Sequence, residues 1–218
     1  MDNEIELVDI VLKVPANHIP DSKYERFKLR LKEYSNRNSE RNSMLFILGV
    51  ATGYRSQDIT DLTIQQIRQA LNDGEFVIQE KKQYRAWITH IENYPNSKKK
   101  KPDVRRSPIK KTLNKLLKEY VVNKRASDYA FTSQKGNDYI NEKSFSEILS
   151  KVGNAIGIKH ISGHSMRKTF AHKIWERTHD LEKVRIALGH KSIEVTRRYL
   201  GIANTIINDA ADILDEFI

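Results

Sequence analysis

The stretch LGHKSIEVTRRYLGI, residues 188–202, decides how this chain is read. Leu188 and Gly189 close one helical segment, Ser192 is suited to cap the start of the next, and Tyr199 lies on that second helix. His190 stands at the turn between them, nine residues before the tyrosine. Such a tyrosine is either an aromatic packed against a core or a hydroxyl presented to a substrate. In isolation the first reading wins, and only partners elsewhere in the chain reverse it.

Those partners lie in two other pieces. TGYRSQD, residues 52–58, places Arg55 between a helix ending at Gly53 and a new start at Ser56. HSMRKTF, residues 164–170, places His164 and Arg167 one turn apart at the start of a helix. Two arginines, two histidines and a tyrosine are thus expected at loop-to-helix junctions, where side chains from different elements converge on one anion. The chemistry that uses such a set is phosphoryl transfer without a metal. A phosphodiester gains negative charge in its pentacoordinate transition state, and two guanidiniums hold its non-bridging oxygens in fixed geometry. A tyrosine hydroxyl, with an unperturbed pKa of about 10, needs a base and nearby positive charge to attack. The leaving sugar oxygen needs a proton from a lysine or histidine.

Taken together, Arg55 after Thr52-Gly53, His164-x-x-Arg167, Leu188-Gly189-His190 and Tyr199 resemble the catalytic domain of the tyrosine recombinases, the phage-type integrase family. The resemblance covers roughly residues 20 to 218. It implies that Tyr199 attacks the scissile phosphate to form a 3′-phosphotyrosyl link, that Arg55 and Arg167 clamp the phosphate, and that His164 is a general acid/base. His190 would hydrogen-bond the phosphate. The covalent link conserves bond energy, so a 5′-hydroxyl of another strand reverses the step; no cofactor and no metal are implied. The expected activity is site-specific DNA recombination or integration on double-stranded DNA, by a homo-oligomer that is a tetramer on its substrate. Rival readings are a type IB topoisomerase-like nicking-closing enzyme and a non-catalytic DNA-binding protein on the same fold.

The family also has a lysine in a β-hairpin. Lys82 in QEKKQYR fits that position best, with Lys81 second. This rests on reading EFVIQE and YRAWITHI, rich in aromatic and β-branched residues, as paired strands with VRRSPI as an edge strand ending at Pro108. If YRAWITHIENYPNS is instead an insertion, VRRSPI is the partner strand and a residue of the run Lys98, Lys99, Lys100, Lys101 is an alternative candidate for the acid. Elsewhere the periodicity is helical. Leu113, Leu116, Leu117, Tyr120 and Val121 share one face, Phe145, Ile148, Leu149, Val152 and Ile156 another, and further helices start near Asp21 and Arg41. Thr63 with Gln66 has capping-box spacing. The expected fold class is mainly α with a small antiparallel β-sheet (α+β).

Composition agrees. The 218 residues carry 38 Lys+Arg against 28 Asp+Glu, a net charge of +10, which attracts polyanions. With 39% hydrophobic residues the chain can bury a core, and with no cysteine it excludes a disulfide scaffold, thiolate catalysis and cysteine-based zinc sites. MDNEIELVDIV does not look like a signal peptide, and the apolar run Met44–Ala51 is too short to span a bilayer, so a cytoplasmic protein is expected, of the bacterial or phage/mobile-element type that the resemblance implies. Lys81, Lys98 to Lys101, Arg105, Arg106 and Lys168 are the expected DNA-contacting residues. Lys168 stands where many relatives have histidine. Asp58 is expected to orient Arg55 or pair with another basic group, or to sit on a helix surface. His18, His90, His160, His172 and His179 read as packed or surface residues, and His160 and His164 are separated by Ser162 and Gly163, which argue against a helical metal pair.

The expected organisation is a short lead over residues 1–19, then a catalytic domain over 20–218 with a tail helix at 203–217 and no separate core-binding domain. The tail has an apolar stripe of Ile206, Ile207, Ala210, Ile213, Leu214 and Phe217 on an acidic background. It is expected to pack on its own domain or dock on a neighbouring protomer, facing away from DNA.

Overall fold

The apolar run Met44–Ala51 becomes the spine of the molecule. The computed structural model describes residues 14–134, 136, 138–202 and 211–216. Helix α2 (Ser39–Thr52) buries Met44, Leu45, Phe46, Leu48 and Val50. Such an all-round apolar helix needs cover on several sides. α1 (Asp21–Ser35) supplies one with Phe27 and Leu31, the Phe27 and Phe46 rings lying 5.1 Å apart. α6 (Lys111–Tyr120) and α8 (Gly163–Thr178) supply the others, and α7 (Glu142–Ala155) closes over α1 and α8.

Between α2 and α6 the chain makes α3 (Ser56–Ile59), α4 (Ile64–Asp73), strand β1 (Glu75–Ile78), α5 (Lys81–Asn93) and strand β2 (Arg105–Pro108). α4 starts with the expected capping box, Thr63 Oγ1 accepting from Gln66 N while the Gln66 side chain accepts from Thr63 N. β1 and β2 pair antiparallel, with Phe76 opposite Ser107 and Val77 opposite Arg106. The mainly helical class with one small antiparallel sheet is the observed one.

The pairing within that sheet differs from the first expectation. YRAWITHI is helical, so it does not pair with EFVI, and VRRSPI is the partner strand. The physical reason is a helical period hidden by β-type composition: Tyr84, Trp87, Ile88 and Ile91 stand at i, i+3, i+4 and i+7. Their face is covered by the lysine loop after the helix. Trp87 Nε1 donates to Lys99 O at 2.9 Å, and the Lys101 ammonium lies 5.2 Å from the Tyr84 ring. α5 has no buried residue, so the helix and its basic loop form an arm that stands off the core.

After α8 come α9 (Leu181–Leu188) and α10 (Ile193–Leu200), held by a second apolar cluster of Ala171, Val184, Leu188 and Leu200 with Phe170, Ile174, Trp175, Leu181 and Tyr199 against it. α8 is therefore the joint. Its first turns, through Met166, belong to the main core, while Phe170, Ala171, Ile174 and Trp175 belong to the second cluster. Most of the expected tail helix lies outside the described residues; within it Ile213 and Leu214 are 58% and 63% exposed rather than packed on the domain.

Candidate active site

Arg167 ties three separate loops together. α8 begins at a capping box in which Ser162 accepts from the backbone of the first turn and Ser165 reciprocates at the Ser162 N–H. His160, at φ 57°, breaks the chain before it, so His160 and His164 do not share a helix. One turn in, Arg167 is 2% exposed and donates from Nη1 to Gly53 O at 2.9 Å and from Nη2 to Leu188 O at 2.6 Å. Gly53 must be glycine on two counts: φ is 64°, and a side chain there would collide with Phe170. Gly189, at φ 66°, ends α9 so that Leu188 O faces the arginine and His190 comes next, at the turn.

Arg105 makes a second tie. Its Nε donates to Ala187 O at 3.0 Å and its Nη2 to Thr52 O, with the guanidinium 4.3 Å from the Tyr54 ring. Expected at the DNA surface, Arg105 is turned inward, because the inner end of β2 lies against α9 and the TGYR turn.

The two guanidiniums expected to clamp phosphate meet on one carboxylate. Arg55 Nη1 lies 2.6 Å from Glu80 Oε2, Arg167 Nη1 donates to Glu80 Oε1 at 2.5 Å, and Arg105 Nη1 is 3.7 Å from that second oxygen. Glu80 is 3% exposed. Burial pushes its pKa up, but Arg167 and Arg55 outweigh burial and hold it below the usual glutamate range, so it is ionised. Three guanidiniums against one carboxylate leave this pocket net positive. Burial lowers the Arg105 pKa to about 10, with Arg167 beside it acting in the same direction.

Tyr199 and His190 border the same charges. Their rings meet edge to face at 5.3 Å and 78°. The Tyr199 hydroxyl is pushed up by burial and pulled back by Arg167 and Arg55. His190 falls to about 4, first through burial and then through Arg167 and Arg55, so it is neutral at pH 7. Its Nδ1 faces Thr196 Oγ1 at 3.0 Å, and that hydroxyl commits its single hydrogen to Ser192 O at 3.3 Å. Nδ1 is therefore the donor, and the lone pair of the neutral ring is on Nε2. His164, more exposed, is lowered by loss of hydration, opposed by Glu142 and assisted by Arg55, Lys82 and Arg167.

The two candidate lysines separate clearly. Lys81 is held: its Nζ pairs with Asp61 at 2.6 Å and donates to Gln57 O at 2.5 Å. Lys82 is exposed on the first turn of α5, with its charge felt at His164. It occupies a strand-to-helix junction, not a hairpin turn, because α5 starts at once. Asp58 is 2% exposed, which rules out the helix-surface reading, and its Oδ1 accepts the Lys81 backbone N–H at 2.8 Å, fixing where α5 starts. Lys98 to Lys101 are exposed on the arm, Arg106 pairs with Glu75 on the outer face of the sheet, and Lys168 is half-buried.

Two participants were not anticipated from sequence, Glu80 and Thr196. Glu80 is an acid directly before Lys81-Lys82 at the end of a strand, and Thr196 lies one turn after its capping serine, both ordinary positions until the fold brings them in. Among the described residues one group has metal-like proximity, His18, His172 and Glu176, with ligand atoms within 4.8 Å. The two imidazoles stack at 3.7 Å and 11°, so their in-plane lone pairs lie in separate, near-parallel planes and do not converge on one ion. None of the residues around Glu80 belongs to that group.

The model of the phage integrase family matches residues 24–205, a span that contains every residue of this pocket. The chain belongs to the phage integrase family. Similar members include the probable integrase/recombinase YoeC of Bacillus subtilis, 28% identical over 172 residues covering 79% of this chain and 83% of YoeC. The tyrosine recombinase XerH of Helicobacter pylori is 26% identical over 218 residues, 94% of this chain and 53% of XerH. Among solved structures, the post-cleavage complex of XerH with a palindromic difH substrate superposes with TM-score 0.61 at 25% identity, over 93% of this chain and 54% of that one. The chain thus spans most of YoeC but about half the length of XerH. No helix of the described residues is long and apolar enough to cross a membrane.

Proposed function

We propose that this phage integrase family member is a site-specific DNA strand transferase that breaks and rejoins duplex DNA through Tyr199. The observation that carries the reading is the convergence of Arg55 and Arg167 on the two oxygens of a single anion, with Tyr199 and His190 in their field. A phosphodiester offers the same pair of oxygens. As the Tyr199 oxygen bonds to phosphorus, His164 takes its proton and the 5′-oxygen leaves with a proton from Lys82. The product is a 3′-phosphotyrosyl link and a free 5′-hydroxyl. The reverse attack by a 5′-hydroxyl restores the diester with the partner strand, so no external energy source enters. His190 becomes a donor to a non-bridging oxygen once the phosphate charge raises its affinity for a proton at Nε2.

Double-stranded DNA is the substrate, gripped by the net charge of +10 and by the arm bearing Lys98 to Lys101. The XerH complexes with difH and the Tn1549 integrase complex with transposon DNA, both similar in fold, support this assignment. Exposed Ile213 and Leu214 fit a tail that docks on a second protomer, and a tetramer on DNA is the assembly that pairs two duplexes.

The test uses a nicked suicide-duplex pool of randomised sequence and scores denaturant-resistant protein–DNA adducts. Wild type gives adducts; Tyr199→Phe, which keeps the ring and its packing, gives none. Equal DNA binding by both proteins with no adduct from either would overturn the reading.

A further inference from the structure

We propose that Glu80 is a built-in substitute for the scissile phosphate, holding the Arg55–Arg167 cradle in anion-binding geometry until DNA arrives and then giving up its place. The inference rests on reading Arg55 and Arg167 as the phosphate clamp, though not on the chemistry of Tyr199. Each arginine takes a different oxygen of the Glu80 carboxylate, as each would take a different non-bridging oxygen of a phosphodiester. Both anions cannot occupy this cradle together. Glu80 is buried, and a second negative charge at hydrogen-bond distance in a partly desolvated site is strongly repelled.

Glu80 is also placed to leave. It stands at the junction of β1 and α5, with φ −62° and ψ 117°, immediately ahead of a helix that contributes no buried residue. What holds that junction is polar: the Lys81 backbone N–H on Asp58 Oδ1, the Lys81 ammonium on Asp61 and Gln57 O at the half-exposed edge, and Gln83 Nε2, on the first turn of α5 itself, donating to Glu80 Oε2 at 2.9 Å. The arm beyond it carries Lys82, Arg85 and Lys98 to Lys101, all exposed. DNA that attracts the arm draws the junction with it, and the arriving phosphate replaces the carboxylate that the junction removes. An empty pair of guanidiniums, Arg167 buried and Arg55 partly so, would repel each other; Glu80 prevents this, at the cost of apparent affinity for any incoming anion.

The test measures binding of inorganic phosphate to the full chain, by thermal shift and isothermal titration, for wild type, Glu80→Gln and the double variant Glu80→Gln/Arg55→Ala. If Glu80 fills the cradle in nine molecules of ten or more, its neutralisation tightens phosphate by at least about tenfold, since apparent affinity scales with the competent fraction. Glu80→Gln is then less stable than wild type without phosphate and regains stability as phosphate is added, and the gain in binding disappears in the double variant. A purely structural glutamate would lower stability with no phosphate-dependent recovery. Unchanged phosphate binding in folded Glu80→Gln overturns the proposal. If Glu80→Gln does not fold, Glu80→Asp decides, because it keeps the charge but withdraws it by one methylene; no tightening there overturns the proposal equally. The two readings fail separately. Adducts from wild type with no gain in Glu80→Gln remove only the Glu80 role, and tighter phosphate in Glu80→Gln with no adduct from wild type removes only the strand-transfer chemistry.

Discussion

The imidazole of His190 meets the hydroxyl of Thr196 at 3.0 Å through Nδ1, and this contact decides which ring nitrogen carries the proton. Thr196 is fully buried and its hydrogen is committed to Ser192 O. Thr196→Val keeps the shape and removes the acceptor, leaving a buried Nδ1–H unsatisfied or shifting the proton to Nε2. Losing one such bond costs about 1–3 kcal/mol, so adduct formation is expected to fall roughly tenfold to a hundredfold. Nitrogen-15 shifts of His190 check the mechanism: the variant populates the Nε2–H form, the wild type does not.

Arg167→Lys keeps the charge but loses the fork. A single ammonium cannot serve Gly53 O, Leu188 O and Glu80 from their separate directions. The expected cost is about 1–3 kcal/mol in urea unfolding, from buried acceptors left without donors, together with loss of adduct. Full activity with unchanged stability would show that the three-loop tie is not needed.

Lys82 and Lys81 are separated by substitution with alanine. Lys82→Ala is expected to slow cleavage by about a hundredfold, the scale of one general acid, and to recover on a substrate with a 5′-bridging sulfur, which leaves without a proton. Lys81→Ala removes a partly exposed ion pair with Asp61 and costs up to about 1 kcal/mol, with no such recovery. A recovery seen for Lys81→Ala instead would move the acid to that residue.

Acid destabilises this fold through its imidazoles. Burial, with His18 and Lys168 acting in the same direction, lowers His172 from its ordinary 6.5 to about 3, and His190 falls from 6.5 to about 4. The unfolded chain takes up these protons near pH 6.5 while the folded chain resists them. Stability is therefore whole above about pH 6.5 and declines as pH falls toward 4. Glu80, held low by Arg167 and Arg55 against burial, adds a loss below its ordinary 4.5; Asp58, raised mainly by burial, opposes it. A Tm profile should drop between about pH 7 and 5, with a shallower slope in His172→Asn. Identical slopes would assign the loss elsewhere.

The arm is tested by salt. Replacing Lys98 to Lys101 with alanine removes exposed cations from a loop that carries no core residue, so folding is expected to stay intact. The slope of log affinity against log salt becomes shallower by about 0.9 for each phosphate the arm no longer neutralises. An unchanged slope would place the arm away from DNA.

Much of this site could be read along the chain because its parts are local. Ser192 capping α10, Gly189 ending α9, the box around Ser162 and the glycine at 53 are each set by one or two turns of backbone, and each carries one member of the set to a junction. The sheet was less legible because Tyr84, Trp87, Ile88 and Ile91 combine strand-type side chains with a helical period, and α5 has no core contact to settle the choice.

The sequence by itself determined the helix-rich class, the capped junctions and the candidate set Arg55, His164, Arg167, His190 and Tyr199, since propensity, capping and spacing act over a few residues. Only the tertiary structure decided that Arg105 turns inward, that Thr196 sets the His190 tautomer and that Glu80 lies between the two arginines. Those are contacts that burial and charge select by position in space, most of them between elements tens of residues apart. The tyrosine in LGHKSIEVTRRYLGI is placed by its own helix, but its hydroxyl feels Arg55 and Arg167 only because α8 joins the main core to the second cluster.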